Sequence, residues 1–221
     1  MAVLLHIDTA GTLGSIAVSR ENEVLIEKQN SNQMDHATWI HTAVEEALQT
    51  IGITLSALDA ISVTIGPGSY TGLRVGLSTA KGYCYALQKP LITIPTLQLM
   101  ASVIHADPST WICPMIDARR MEVFYALYDV NLQELQPAQA LVLDTHSFAS
   151  ELATQKIIFC GDGSDKFKQC CSSSNATFSP AKATAAAMVP LAIKKFNAKE
   201  FADVAYATPL YGKEFYTLPK S

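Results

Sequence analysis

Short apolar runs separated by polar turns alternate along this chain with two longer stretches whose apolar residues recur every three or four positions. Val3 to Ile7 reads as a buried strand closing at the turn Asp8-Thr9-Ala10-Gly11-Thr12. Leu13 to Ser19 reads as its hairpin partner, and Glu23 to Asn30 as a third strand after Arg20-Glu21-Asn22. Met34 to Ile51 has the period of an amphipathic helix, with Ala37, Ile40, Val44, Ala47, Leu48 and Ile51 on its apolar side. Gly52 stands where a helix-ending residue is expected. A strand over Ala60 to Ile65, a helix over Tyr70 to Leu87 and a strand over Leu91 to Ile94 follow. A short helix over Thr96 to His105 comes next, with Thr96 as its cap.

The polar stretch His105-Ala106-Asp107-Pro108-Ser109-Thr110 is the best boundary, and the pattern then begins again. Strands are expected at Trp111 to Ile116, Glu122 to Tyr128 and Ala138 to Leu143. A helix at Thr145 to Ala153, a strand at Lys156 to Cys160 and the turn Gly161-Asp162-Gly163 come after them. Ser172 to Asn175 reads as an exposed low-complexity loop, and Thr184 to Asn197 as helical with Pro190 at a kink or start. Both halves run three strands, helix, strand, helix. That order predicts two related α/β lobes with mixed sheets, residues 1–104 and 105–221, the last helix or tail being free to pack back on the first lobe.

The most informative segment is Ile65-Gly66-Pro67-Gly68-Ser69-Tyr70-Thr71-Gly72-Leu73-Arg74-Val75-Gly76. A strand, a Gly-Pro-Gly turn and a helix resemble an anion cradle. The dinucleotide spacing fails, because Gly72 comes one position late, and no Lys follows the last glycine as a Walker loop requires. From Tyr70 to Leu87 the only full charges are Arg74 and Lys81, and Gly72, Gly76 and Ala80 share one face. Leu73, Leu77, Ala80, Cys84 and Leu87 mark an adjoining apolar stripe. Two glycines inside a helix cost about 1 kcal/mol each relative to alanine, so a close packing partner is expected. That partner is either another subunit or the protein's own interior.

Composition narrows the class. The chain has 221 residues, 49% apolar and only 16% charged, with a net charge of −4. Disorder is excluded, and no basic stripe of a stand-alone nucleic-acid binder is visible. The five cysteines, Cys84, Cys113, Cys160, Cys170 and Cys171, contain no Cys-x-x-Cys and are expected to be reduced. With no basic leader and no long apolar run, a soluble cytoplasmic protein is expected, with no membrane contact.

The glycine motif, the Asp8-Thr9 turn, Lys81-Gly82, Asp117-Ala118-Arg119-Arg120-Met121-Glu122-Val123 and Thr208-Pro209-Leu210-Tyr211 together resemble the TsaB (YeaZ) family. That family supports synthesis of N6-threonylcarbamoyladenosine in tRNA. The resemblance implies an actin-like ATPase (ribonuclease H-like) fold without catalysis of its own. It further implies a TsaD-like transferase and a TsaE-like ATPase as partners, a homodimer in isolation, and tRNA met only through the complex. No cofactor is implied for the chain alone, with ATP or ADP conceivable at the junction with TsaD. The relative TsaD holds a metal with a His-x-x-x-His pair, and the matching positions are Thr96 and Met100, neither suited to that metal. TsaD's Ser-Gly-Gly-His phosphate turn corresponds to Asp117-Ala118-Arg119-Arg120. No residue is therefore assigned a catalytic or metal-binding role.

In the family the two N-terminal helices build the subunit contact, so Trp39, Ile40, Ala43, Gly72, Leu73, Gly76, Leu77 and Ala80 are the expected partner face. Asp8, Thr9 and Arg119 are the candidate nucleotide contacts, against the alternative of a plain Asx-type turn at Asp8. His36 and His41 point some 140° apart on their helix and are expected at the surface, without a shared metal. Two rival functions remain open at this point, an actin-like small-molecule kinase or ATPase and a peptidase. Against the second, neither His-Glu-x-x-His nor Gly-x-Ser-x-Gly is present.

Overall fold

A computed structural model describes residues 1–32 and 35–212 and contains two five-stranded sheets. The first half supplies strands β1 (Val3–Asp8), β2 (Gly14–Arg20) and β3 (Glu23–Asn30), then helix α1 (His36–Thr50) and strand β4 (Ala60–Thr64). Helix α2 (Tyr70–Leu87), strand β5 (Leu91–Ile94) and helix α3 (Thr96–Ser102) complete it. The second half supplies β6 (Thr110–Asp117), β7 (Glu122–Tyr128), β8 (Glu134–Val142), α4 (Ala149–Leu152) and β9 (Lys156–Cys160). It ends with α5 (Ser164–Cys170), β10 (Ala176–Ser179), a 3₁₀ turn at Ala185–Met188 and α6 (Val189–Ala198).

Strand order is β3-β2-β1-β4-β5 in one sheet and β8-β7-β6-β9-β10 in the other. Each half therefore lays an antiparallel meander on one side of its first strand and parallel crossovers on the other. This is the duplicated ribonuclease H-like arrangement of the actin-like class. β4 is buried throughout and β1 almost so, as strands covered on both faces must be. Period-two alternation sends Leu5 and Ile7 to one face, with Ile40, Val44, Leu77 and Ala80 from α1 and α2. Leu4 goes to the other, with Ile94, Met188, Val189 and Ala192.

The final helices exchange places. α6 lies late in the chain yet packs on β5 of the first sheet, whereas α3 packs on β6 and β7 of the second. Leu97, Met100 and Ala101 share a cluster with Ile112, Ala126 and Tyr128. On the far face of the second sheet, Phe148, Phe159 and Phe167 pack edge to face at centroid distances of 5.2, 5.2 and 4.7 Å.

Several sequence expectations change. Helix α3 stops at Ser102, and Pro95 occupies the cap position. The Thr96 hydroxyl instead accepts the Gly66 N–H at 3.1 Å. The expected helix at 145–153 contracts to α4 because Asp144, Ser147 and His146 form a side-chain-bonded turn ahead of it. α5 and β10 carry too few apolar residues to show a period, with Phe167 the one buried hydrophobe of α5. Met34, taken as the start of α1, lies outside the described residues. The strand-like Thr208–Tyr211 run is a strap, tied to β4's exit by the Leu210 N–H donating to the Ile65 carbonyl at 2.7 Å. Gly66 accommodates that strap: its φ is +113°, and a Cβ there would meet the Leu210 carbonyl at 2.4 Å.

The small-residue stripe of α2 faces inward. Ile40, Ala43, Gly72, Leu73, Gly76, Leu77 and Ala80 are all buried within their own lobe, so they are not a partner face. A Cβ on Gly72 would lie 2.0 Å from the Thr9 carbonyl oxygen, and one on Gly76 2.3 Å from the Thr9 hydroxyl. The glycines let α2 lie directly on the β1–β2 turn. Trp39 is half-buried against the same core. His36, expected at the surface, is also buried, its ring seated over Gly14.

His6 is fully buried in the middle of the first sheet, its ring nitrogens 2.7 Å from Ser62 Oγ and 2.8 Å from Ser19 Oγ. Burial pushes its pKa down to about 3 and keeps the ring neutral. Two outcomes are expected. Gly72→Ala should destabilise the fold by about 1–3 kcal/mol through overpacking. Gly82→Ala, where nothing lies within 4 Å, should stabilise by up to about 1 kcal/mol, both read from urea midpoints. The unfolded His6 ring takes up a proton near pH 6.5, which the folded ring resists down to about 3. Stability should therefore be complete above pH 6.5 and fall by about 1.4 kcal/mol per pH unit as the medium is acidified towards pH 3. Asp8, whose pKa burial raises, works in the opposite sense, so the check is the change on His6→Gln, which should flatten the slope.

Candidate functional site

Between the lobes lies a cleft of about 570 Å³, built from the β1–β2 turn, the start of α3, the β9–α5 turn and the segment leading to α6. Asp8, Thr96, Met100, Ile116, Asp162 and Lys182 are among its walls. Asp8 reaches it from the end of β1, where one carboxylate oxygen accepts the Ala10 N–H at 3.1 Å and the Thr64 hydroxyl at 2.8 Å. Burial raises the Asp8 pKa, and these two donors partly oppose the rise. The arrangement is the Asx-type turn that the sequence allowed. Thr9 is fully buried and donates its hydroxyl to the Gly72 carbonyl at 2.7 Å, which ties α2 to the turn.

Arg119 stands elsewhere, in the β6–β7 turn, where it and Arg120 adopt φ of 70° and 50°. Its side of the turn faces the first turns of α1 and α2. The nucleotide trio is thus not brought together: Asp8 lines the cleft, Thr9 is sealed behind it, and Arg119 faces a separate groove. Sequence reasoning missed Asp162 and Lys182 in the cleft, since no spacing motif connects the β9–α5 turn with the approach to α6.

Thr96 and Met100 sit one turn apart on α3 and both line the cleft. The Thr96 hydroxyl is engaged by Gly66, and the Met100 methyl packs so close to Gly161 that a Cβ there would meet it at 2.2 Å. A hydroxyl and a thioether do not fit the imidazole-held metal implied for TsaD. Among the described residues, no group of three His, Cys, Asp or Glu side chains is placed to hold a metal ion.

The outer surface of α1 and α2 is the second feature. His41 and Tyr83 touch across the two helices, with Nδ1 to phenol oxygen at 3.3 Å. Thr71, Ser78, Gly82 and Tyr85 point outward on α2, Tyr85 being 84% exposed. Both cations of the helix are occupied by the protein itself. Arg74 donates to the Tyr70 phenol at 2.6 Å and lies over its ring, while Lys81 donates to the Ala205 and Ala207 carbonyls at 3.1 Å each. Among the described residues, no helix is long and apolar enough to cross a membrane.

Comparison with known proteins places this geometry. The profile of the family described as TsaD, tRNA N6-adenosine threonylcarbamoyltransferase, matches residues 23–210. The tRNA threonylcarbamoyladenosine biosynthesis protein TsaB of Bacillus subtilis is 31% identical over 170 residues, 75% of this chain and 73% of that protein. TsaB of Escherichia coli is 32% identical over 126 residues, 57% of this chain and 54% of its own length. Among solved structures, YeaZ from Pseudomonas aeruginosa superposes with a TM-score of 0.81 at 24% identity, covering 96% of this chain and 100% of the other, which is a likeness of fold. The chain belongs to the family that the TsaD profile describes, and within it to the TsaB (YeaZ) branch of tRNA threonylcarbamoyladenosine biosynthesis proteins.

Proposed function

We propose that this protein is a non-catalytic subunit of the tRNA threonylcarbamoyladenosine machinery, binding and supporting a TsaD-type transferase and recruiting a TsaE-type ATPase. The observation that carries the docking half of this reading is the outer face of α2. Its two cations are bonded internally, and what remains outward is small, uncharged and marked by the 84% exposed Tyr85. A helix surface with two cations, both already given acceptors by the protein, costs less to desolvate than a fully charged one, and an exposed tyrosine is a frequent interface anchor. The contact is therefore assigned to Thr71, Val75, Ser78, Gly82 and Tyr85 with the adjoining α1 surface, in place of the buried stripe. The same surface would pair two copies when the transferase is absent.

The absence of catalysis is supported by the side chains at Thr96 and Met100, which lack the donors that the transferase's metal calls for. ATP or ADP, where it takes part, is assigned to the junction with the transferase, and tRNA is met through the assembled complex. Gly82→Arg should abolish co-purification with the transferase while leaving the circular dichroism spectrum unchanged, because the position opens on empty space. Retention of the complex in that variant would remove the proposed face. Reconstituted tRNA modification should fall to background when this chain alone is omitted, and undiminished product would end the supporting role.

A further inference from the structure

Beside the last residues of the strap, a groove of about 730 Å³ opens between the two halves of the chain. Pro67 and Pro95 come to it from the first half, and Phe124, Tyr128, Glu134 and Ala138 from the second. Its position follows from the shortness of α3. That helix has seven residues, about 10 Å of axis, and packs with Ile112, Ala126 and Tyr128 of the second sheet. Phe124 projects from the same face of β7 as Ala126 and Tyr128 but stands outside that cluster. On the first sheet the run into α6 crosses the meander. There the Ala185 N–H donates to Ser15 Oγ on β2 at 2.8 Å, and the Ala186 N–H to Glu27 on β3 at 3.3 Å. The groove lies where the second meander lacks such a crossing among the described residues.

Three observations point to its occupant. The strap is aimed into the groove: Leu210 lines it, 48% exposed, and Gly212 lies so flat on the Phe124 ring that a Cβ there would meet it at 2.4 Å. The residues that follow in sequence are Lys213-Glu214-Phe215-Tyr216-Thr217-Leu218-Pro219-Lys220-Ser221, an apolar set behind two charges. Reach agrees with this order. From Phe124 to Tyr128 the strand advances about 13 Å. A chain leaving Gly212 at about 3.6 Å per residue at most brings positions 215 and 216 within that span. Charge agrees as well. Among the described residues that wall the groove Glu134 alone is charged, whereas residues 213–221 carry Lys213 and Lys220 against Glu214.

We propose that the chain's own residues 213–221 dock in this groove, with the rings of Phe215 and Tyr216 seated against Leu97, Phe124 and Tyr128. Neighbouring side chains of an extended segment point to opposite sides, which suits a groove walled from both halves of the chain. Removing two aromatic rings and the groove floor from water drives the docking. The consequence reaches the strap. Fastened by Ala202 to Leu91 at one end and by the docked segment at the other, it keeps the Ala205 and Ala207 carbonyls on Lys81. The proposal does not rest on the subunit reading, since every element in it belongs to this chain.

In NMR of the full chain, the ring protons of Phe215 and Tyr216 should show nuclear Overhauser contacts to the Leu97 methyl groups. Ala202 and Leu210 are the strap's backbone donors to Leu91 and Ile65. Phe215→Ser combined with Tyr216→Ser should speed amide exchange at both by about tenfold, as the strap opens locally more often. The same double variant should brighten added anilinonaphthalene sulfonate, a dye that fluoresces on exposed apolar surface. Ala138→Arg, at an exposed position in the groove wall, should reproduce both effects with residues 213–221 intact. Lys182→Gln, in the interlobe cleft, should produce neither. Contacts seen only between differently labelled copies would give the groove to a second molecule and overturn the proposal. So would Leu97 methyl groups without contact to either ring, or dye binding by the full chain equal to that of the double variant.

Discussion

The backbone of α2 rests on the β1–β2 turn with no side chain of its own between them. Thr9 mediates the contact from both ends: its carbonyl occupies the space a Cβ at Gly72 would take, and its hydroxyl donates to the Gly72 carbonyl. The same hydroxyl lies where a Cβ on Gly76 would be. This one approach sets the roll of α2 about its axis. With the glycine face held inward, Leu73, Leu77, Ala80 and Cys84 must enter the core, and Thr71, Ser78, Gly82 and Tyr85 must face out. Asp8, next to Thr9 in the chain, is held in an Asx-type turn by the Ala10 N–H and by the Thr64 hydroxyl of β4, which occupy one of its carboxylate oxygens.

The crossing of α3 and α6 adds a second constraint. Each lobe is completed by a helix from the other half of the chain, so neither sheet is covered on both faces by its own half alone. The cleft walls are then parts of shared cores. Met100 belongs to the cluster with Ile112 and Cys160 while also lining the cleft. A metal-holding imidazole at that position would have to replace a side chain that packs the junction.

Most elements were legible because their burial is regular. β3, α2, β5, β7 and β9 have the limits that apolar periodicity and turn residues suggested. α5 and β10 escaped because Phe167 alone anchors one and the other is held by ladder bonds to β9, which leave no mark on side-chain pattern. The site was less legible for a specific reason. The small-residue stripe told correctly that α2 meets something at very short range, but not whether that something is another chain or Thr9. Helical spacing fixes which residues share a face and is silent on which way the face turns. His36 shows the same limit: its position on α1 is plain, whereas its burial depends on Gly14, in a different strand.

The charge balance of α2 then follows from the chain's last described segment. The strap after α6 pairs Ala202 with Leu91, brings two carbonyls to Lys81 and lays Tyr211 on Tyr70 at 5.1 Å, beside the guanidinium that Tyr70 already holds. A lysine and an arginine on an exposed helix would ordinarily be solvated and would resist burial by a partner. Here the strap and the helix's own tyrosine supply acceptors to both in advance, which moves part of the desolvation cost from association to folding. A surface whose cations already have acceptors differs from one whose cations depend on water alone: the Lys81 charge is held in place only while the strap stays there.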